Sequence, residues 1–551
     1  MSQTACGLRL SPNFEEIAKN RLLEVLEKGS LETFDSYYSW SMANIYIEGL
    51  PLNLDKYPCL IPIYLDKSTD IVLQKSAQCG ATEMAISKGI YFSDQKRENT
   101  FYGMPTDEGI GQLVQSRVNP RIEDSPYLRD RVINTNNIGL KQIGQNFMHF
   151  KGSKNRRQII TAAAGFLIMD EVDEMVQMHI PVMLKRLGNS AYKWTLALST
   201  PSIPGYGINK MYLETDQMAW HNKCKYCGKW QTIDFFKNIK PTPQRATKLT
   251  PDEIEKLDVK CVCKHCAKPL DNIGPGKWIA LNPGAKKRGY QLSKLNTGQE
   301  TLKTLWITFN ETDNVQEFFN SDLGLPYVPE GGQLGDNDIE SCYESESLED
   351  TIKRLNEDSD LKLKIKLDHC TMGVDVGSNL NYRISKIIEG HNRMVEIGIV
   401  KNFEDLDVKM EKYDISMCII DALPETRKAE EFRARFPGRV LLAWYNLEDD
   451  KLVFKREKGD RKNIRINRTR AMDNTAEGFL TRHNVITRAA KHVDGYFDQL
   501  KAPVRVKKHD PKTGNEYYVY IEGSNADHYY HAEVYDDIAS KLPKTFEVII
   551  V

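Results

Sequence analysis

The sequence predicts an α/β protein of at least two domains with a small metal-binding insert, and three observations predict it. Short apolar runs of the kind found in buried parallel strands end in polar or charged residues at Lys75, Asp170 and Ser199. Two CxxC pairs stand close together, at Cys224/Cys227 and Cys263/Cys266. After an acidic stretch, a second set of apolar runs carries Asp375 and Asp421. The length of 551 residues exceeds one hydrophobic core, and at ~150 residues per domain it suggests about three to four units.

Composition narrows the class. With 40% apolar and 27% charged residues, and no run near the ~20 apolar residues a bilayer span needs, the chain reads as soluble and not membrane-bound. Nothing at the N-terminus marks it for export, so an intracellular, reducing location is expected. Lysine plus arginine (75) balances aspartate plus glutamate (76), so any surface for a polyanion must be a local patch.

The first element is strand, loop, helix. "TDIVLQ" (69–74) suits a buried strand, and "TEMAISKGIYFSD" (82–94) has helical spacing, with Met84, Ile86, Ile90 and Tyr91 available for one face. Between them "KSAQCGAT" looks like a phosphate-binding loop whose lysine, Lys75, stands at its beginning instead of before the terminal hydroxyl. A loop wrapped around phosphates brings its two ends together, so the charge can come from either end. Lys75, Ser76, Gly80 and Thr82 are therefore candidate ATP contacts, with the helix N-terminus favouring phosphate.

The second element, "GFLIMDEVDEM" (165–175), is an apolar strand running into Asp170 and Glu171. Ligand chemistry in open α/β sheets gathers at the carboxyl ends of strands. Asp170 is placed to hold Mg²⁺ and Glu171 to polarise an attacking water. A third strand, "KWTLALST", ends in the hydroxyls of "STPS", where a sensor of hydrolysis would sit.

The chain has 11 cysteines, and their clustering in a reducing compartment points to metal. Two CxxC knuckles, each aiming two thiolates, make a closed tetrahedral Zn²⁺ site from Cys224, Cys227, Cys263 and Cys266, which is structural because no position stays open. Cys261 and His265 are spare ligands, and Trp220, Trp230 and Trp278 suggest a zinc ribbon with a small core of its own.

"DNDIESCYESESLEDTIKRLNEDSD" reads as a linker or surface helix. Beyond it come a strand with Asp375 in its middle, a strand ending at Asp421, and a helix with Asp527 near its start, on one face with His531. Three carboxylates from two strands and a helix are what two-metal phosphodiester cleavage needs. Asp536 and Asp537 are substitutes for Asp527. The basic segments "KREKGDRKNIRINRTR" and "KAPVRVKKHD" would grip duplex backbone.

Taken in order, "KSAQCGATE", "SRVNPRIEDSPYLRD", "LIMDEVDE", "STPS" and above all "FFNSDLGLPYVPEG" (318–331) resemble the large terminase subunit of tailed bacteriophages, in particular the lambda-like group. The resemblance runs from about Leu73 to near the C-terminus. It implies a P-loop ATPase domain with a zinc-ribbon-like insert, followed by an RNase H-like nuclease domain with Mg²⁺ or Mn²⁺ bound by Asp375, Asp421 and Asp527. It implies an arginine completing the ATP site, for which Arg156 and Arg157 are both available. The partners it implies are double-stranded viral DNA, a small terminase subunit and a portal protein, in a homo-oligomeric ring on a procapsid in the host cytoplasm. His528 and His531 depart from the family, which often has acids there.

The expected domains are an N-terminal region (1–60), ATPase core (61–220), zinc insert (221–285), connection (286–365) and nuclease (366–551). Two other classes stay open: a cellular helicase-nuclease, which needs a second RecA-like lobe, and a non-catalytic zinc-bearing scaffold.

Overall fold

The computed structural model describes residues 36–542, apart from 134–136, 244–248, 313, 330, 359–365, 450–451, 457–459, 461, 510–515 and 524–525. Residues 1–35 of the expected N-terminal region and parts of both basic segments lie outside the described residues. The chain divides into two compact units, residues 1–201 with 207–325 and residues 202–206 with 326–551. No described helix is long and apolar enough to cross a membrane.

The first unit is built on a sheet whose strands include β1 (Asp70–Lys75), β2 (Thr100–Met104), β3 (Asn146–Gly152), β4 (Phe166–Asp170), β5 (Trp194–Ser199), β6 (Met218–Lys223), β7 (Gly276–Ala280) and β8 (Arg288–Leu292). The order β6-β8-β1-β5-β4-β2-β3 is parallel throughout, and β7 adds to β6 antiparallel. β2 and β4 are buried along their whole length, the pattern of strands covered on both faces. Helix α1 (Ala81–Gln95) follows β1 and buries Met84, Ile86, Ile90 and Tyr91, as its spacing predicts.

Residues before 61 do not stand apart from this core. A helix at Tyr37–Asn44, capped by the Ser36 hydroxyl, lays Tyr37 and Trp40 on α1. The Tyr37 hydroxyl donates to the Met84 carbonyl (2.7 Å), and the Trp40 indole donates to Asp94 (3.1 Å). The cysteine-bearing insert is likewise joined to the sheet, because β6 and β7 are its two edges. Trp220 and Trp278 meet edge to face at 5.3 Å and pack into the main core with Tyr290, so they do not form the insert's own core as expected from sequence. That core is a phenylalanine cluster of Phe235, Phe309 and Phe318, partly supplied by the chain after the insert.

In the second unit β9 (Thr371–Val376), β10 (Leu380–Ile388) and β11 (His391–Val400) form an antiparallel meander. β12 (Met417–Asp421), β13 (Val440–Trp444) and β14 (Asn463–Ile466) then add in parallel beside β9. Helices α2 (Arg468–Leu480) and α3 (His528–Lys541) cover one face. The approach of α3 is close at Gly373, where a Cβ would lie 2.2 Å from the Ala532 carbonyl oxygen and the Asp536 nitrogen. Glycine in mid-strand is thus what lets α3 lie on β9. The acidic stretch is folded onto this unit: the Glu344 N–H donates to the Ile486 carbonyl, and its carboxylate accepts from Thr487.

Under α3 the Arg383 guanidinium, fully buried, holds two carboxylates, Glu533 (2.9 Å) and Asp536. Asp536 also accepts from Thr371 and Ser385. It is committed to this pair, which removes it as a substitute metal ligand; Asp537 is buried and tied to Lys541. One cation cannot fully compensate two buried anions, and burial pushes Glu533 up from 4.5 to about 7 against the pull of Arg383. The folded unit therefore holds this proton more tightly than the unfolded chain. The stabilisation is complete below pH 4.5 and is lost as pH rises towards about 7. Glu533→Gln should remove this slope: the urea midpoint of the second unit, followed across that window, should fall with pH in the wild type and stay flatter in the variant.

Candidate active sites

The loop after β1 is fixed from behind. The Ser76 N–H donates to the Leu292 carbonyl (2.9 Å) and the Ala77 N–H to the Ser321 carbonyl (2.7 Å). Gly324, at φ +65°, passes so close that a Cβ would stand 2.3 Å from the Leu292 oxygen and 2.7 Å from the Ser76 nitrogen. Gln74 donates to the Gly324 carbonyl (2.9 Å). The most distinctive sequence segment therefore acts as a backing strip for the loop. Gln78 and Gly80 take positive φ (54° and 82°), which turns the chain into the N-terminus of α1. Lys75 is buried at the loop's base, and the Ser76 hydroxyl is buried with no hydrogen-bond partner in the protein, as fits a group awaiting a phosphate or its metal. Thr82 sits half-buried in the first turn of α1.

β5 lies between β1 and β4, so Asp170 and the loop share the sheet's carboxyl edge two strands apart. Asp170 is buried and accepts from the Tyr102 hydroxyl (2.7 Å) and the Glu171 N–H (3.0 Å). Glu171 takes a left-handed backbone (φ 61°, ψ 49°), a conformation costing ~1–3 kcal/mol for such a residue and concentrated at functional sites. It keeps surface open to solvent, yet partial desolvation and then the Asp170 charge push its carboxyl above the usual range, against Lys75 and Arg117. That direction suits a group that takes a proton from water.

Two residues escaped the sequence reading. Asp173, the last acid of "DEVD", accepts from the Ile208 N–H (2.7 Å), and its own N–H donates to the Ser199 hydroxyl (3.2 Å). It thereby ties the acidic strand end to the end of β5 and to the helix at Gly207–Leu213. Arg117, in "SRVNPR", stands 3.8 Å from Glu83 on α1, and its charge acts on Glu171. The motif was visible, but nothing in it said which arginine's charge reaches Glu171. Arg156 and Arg157 are exposed on a short helix after β3. β3, the strand before that helix, is four strand positions from β1 in the sheet.

The four predicted cysteines come together, with all sulfurs within 4.8 Å of one another. Cys224 and Cys266 are 3.7 Å apart, as are Cys227 and Cys263. Sulfurs on a tetrahedron with bonds of ~2.3 Å stand ~3.8 Å apart, so the spacing fits zinc. The two knuckles are alike: Gly228 N–H bonds to the Cys224 carbonyl and Ala267 N–H to the Cys263 carbonyl, each at 2.8 Å. Desolvation raises the Cys263 thiol, but the Gln231 amide and the N–H groups of His265 and Cys266 outweigh it and lower the thiol from its ordinary range. Cys261 is outside the group and pushed up to about 12 by burial.

In the second unit Asp375 and Asp421 lie on neighbouring parallel strands, and Asp527 precedes α3. Burial, and beyond it the Asp375 charge, raise Asp421; its oxygens accept from the Leu423 N–H and the Tyr535 hydroxyl (both 3.0 Å). The Tyr535 ring stacks on Tyr445 at 5.6 Å, and the Tyr445 hydroxyl meets His531 Nδ1 at 2.8 Å. His531 Nε2 faces Asp527 at 3.3 Å, with Arg468 at 3.7 Å from the same carboxylate. Burial raises Asp527, but His531, Arg468 and His528 hold it below the usual range. The Asp527 oxygen that faces His531 and Arg468 is buried. Among the described residues the four cysteines are the only group of three or more such donors within 4.8 Å of one another, so Asp375, Asp421 and Asp527 do not form one such cluster. Of the basic segments, Arg505 is paired with Asp473 (2.8 Å) and Lys507 with Glu516, so part of their charge is already balanced.

A parallel sheet with a strand-to-helix loop after β1 and acids at the end of β4 defines the first unit as an α/β domain. Residues 63–274 match the family model of the phage terminase large subunit gpA, ATPase domain. The chain is 29% identical to the terminase large subunit of Escherichia phage lambda over 271 residues, and 27% identical to that of Enterobacteria phage P21 over 253. These matches span 44% and 43% of this chain, and only 40% and 39% of those proteins. Among solved structures, the HK97 bacteriophage large terminase is similar over 91% of this chain and 99% of its own, at 12% identity and a TM-score of 0.48. The likeness to large terminase subunits read from the sequence is thus shown.

Proposed function

We propose that this chain is the large subunit of a viral DNA-packaging motor, using ATP hydrolysis to move double-stranded DNA into a procapsid and cutting concatemeric DNA with a second, metal-dependent site. The observation that carries the reading is the joint placement of Lys75, Asp170 and Glu171 at one sheet edge, in the segment that matches the terminase ATPase family. ATP would lie against the loop, with Lys75, the Ser76 and Thr82 hydroxyls and the N–H groups around Gly80 on its phosphates. Asp170 would hold Mg²⁺, and Glu171 would orient and deprotonate water. The Asp173 bonds to Ser199 and Ile208 offer a route by which a change at the phosphate reaches "STPS". Arg157 or Arg156 would complete the ATP site, of the same subunit or of a neighbour in a ring. Small terminase subunit, portal protein and the host cytoplasm follow from this reading.

The second unit supports an RNase H-like nuclease: a three-strand meander joined by parallel strands, with acids on its two central parallel strands and at α3. Mg²⁺ or Mn²⁺ held by Asp375, Asp421 and Asp527 would stabilise attacking and leaving oxygens at a phosphodiester. This topology speaks against the helicase-nuclease alternative, whose second lobe would repeat the parallel sheet. The four cysteines would hold one structural Zn²⁺.

Glu171→Gln should bind ATP with near wild-type affinity while its turnover falls about 10²-fold or more, measured by nucleotide binding and phosphate release on assembled subunits. Full turnover in Lys75→Ala would refute the displaced lysine. Asp375→Ala should lose cleavage of plasmid DNA while keeping ATP turnover; a variant that still cuts with unchanged metal dependence would remove Asp375 from the site. Metal analysis should give about one zinc per chain, lost with Cys224→Ser and Cys227→Ser together. A folded wild-type protein without zinc would contradict this.

A further inference from the structure

The two histidines in the first turn of α3, His528 and His531, are not equivalent. His531 is fully engaged: Tyr445 holds Nδ1 at 2.8 Å, and Nε2 faces Asp527 with the Arg468 guanidinium 3.5 Å away. A cation beside Nε2 opposes a second cation there, so His531 positions Asp527. His528 has a different setting. Its Nδ1 lies 2.8 Å from Asp375 Oδ2, and its side chain is 42% exposed at the mouth of the site. Gly377 makes room for it, since a Cβ there would stand 3.2 Å from His528 Cε1.

We infer that His528 is a metal ligand, sharing an ion with Asp375 and giving the site a preference for a first-row transition ion such as Mn²⁺ over Mg²⁺. The inference rests on the two-metal reading of this unit and says which ions that site takes. Donors on adjacent corners of an octahedron with bonds of ~2.1 Å stand ~3.0 Å apart, so Nδ1 and Oδ2 already have the bite of two neighbouring ligands. Imidazole nitrogen favours transition ions, whereas Mg²⁺ prefers an all-oxygen shell. An aspartate at 528 would supply that shell. The histidine converts the site to mixed nitrogen and oxygen.

The test uses the full chain without nucleotide and reads Mn²⁺ directly by pulsed electron paramagnetic resonance and by titration. Wild-type protein should show Mn²⁺ coupled to an imidazole nitrogen, and this coupling should vanish in His528→Ala but persist in His531→Ala. His528→Ala should weaken Mn²⁺ binding about tenfold or more while changing Mg²⁺ binding little. His528→Asp should raise Mg²⁺ affinity relative to Mn²⁺. A nitrogen coupling that survives His528→Ala would overturn the inference. So would wild-type Mn²⁺ without nitrogen coupling that is nonetheless lost in Asp375→Asn; both results leave the nuclease reading intact. Absence of any Asp375-dependent metal binding would instead overturn the two-metal reading itself.

Discussion

The loop after β1 depends on two backbone hydrogen bonds, from Ser76 to Leu292 and from Ala77 to Ser321. A loop that must offer its N–H groups to phosphate cannot hold itself rigid with those same groups. Here the outer end of β8 and the turn before Gly324 take over part of that task, leaving the N–H groups nearer Gly80 for a ligand. The parallel order of the sheet does the rest: it brings β4 to the same edge and lets β5, threaded between them, touch both the loop strand and the acids.

The second unit obeys a similar logic with different means. Asp375 and Asp421 stand on two of its strands and Asp527 before α3, and the close seating at Gly373 sets how α3 lies on β9. The buried Arg383 with Glu533 and Asp536 sits under that contact. Replacing such a pair with apolar groups is often neutral for stability, so the arginine is best understood as fixing the angle of α3 and not as a source of net stabilisation.

Much of this was legible from the chain alone. Strand-ending polar residues are visible because a buried strand writes an apolar run that stops at them; Lys75, Asp170 and Asp421 all stand at such ends. The paired CxxC was legible because a four-sulfur shell needs two local knuckles. What was not legible depended on distant contacts. Nothing local distinguishes Asp173 from an acidic helix start, Arg117 from its neighbour Arg121, or Asp536 from a metal ligand, because each is defined by a partner far along the chain. The tryptophans around the cysteines misled for the same reason: adjacency in sequence placed them in the insert, whereas the β6 to β7 pairing turned Trp220 and Trp278 into the sheet's own core.

The short segment 202–206 clusters with the second unit although it lies in sequence inside the first. Ile203 there is fully buried against Val504 and Val506. The chain therefore passes between the units at 201/202, at 206/207 and again at 325/326. A fragment ending at Leu325 would leave Ile203 without its apolar neighbours, and one starting at Pro326 would expose Val504 and Val506. The two units are thus stitched together in sequence, so exchange of either one would require moving the five-residue stitch along with it.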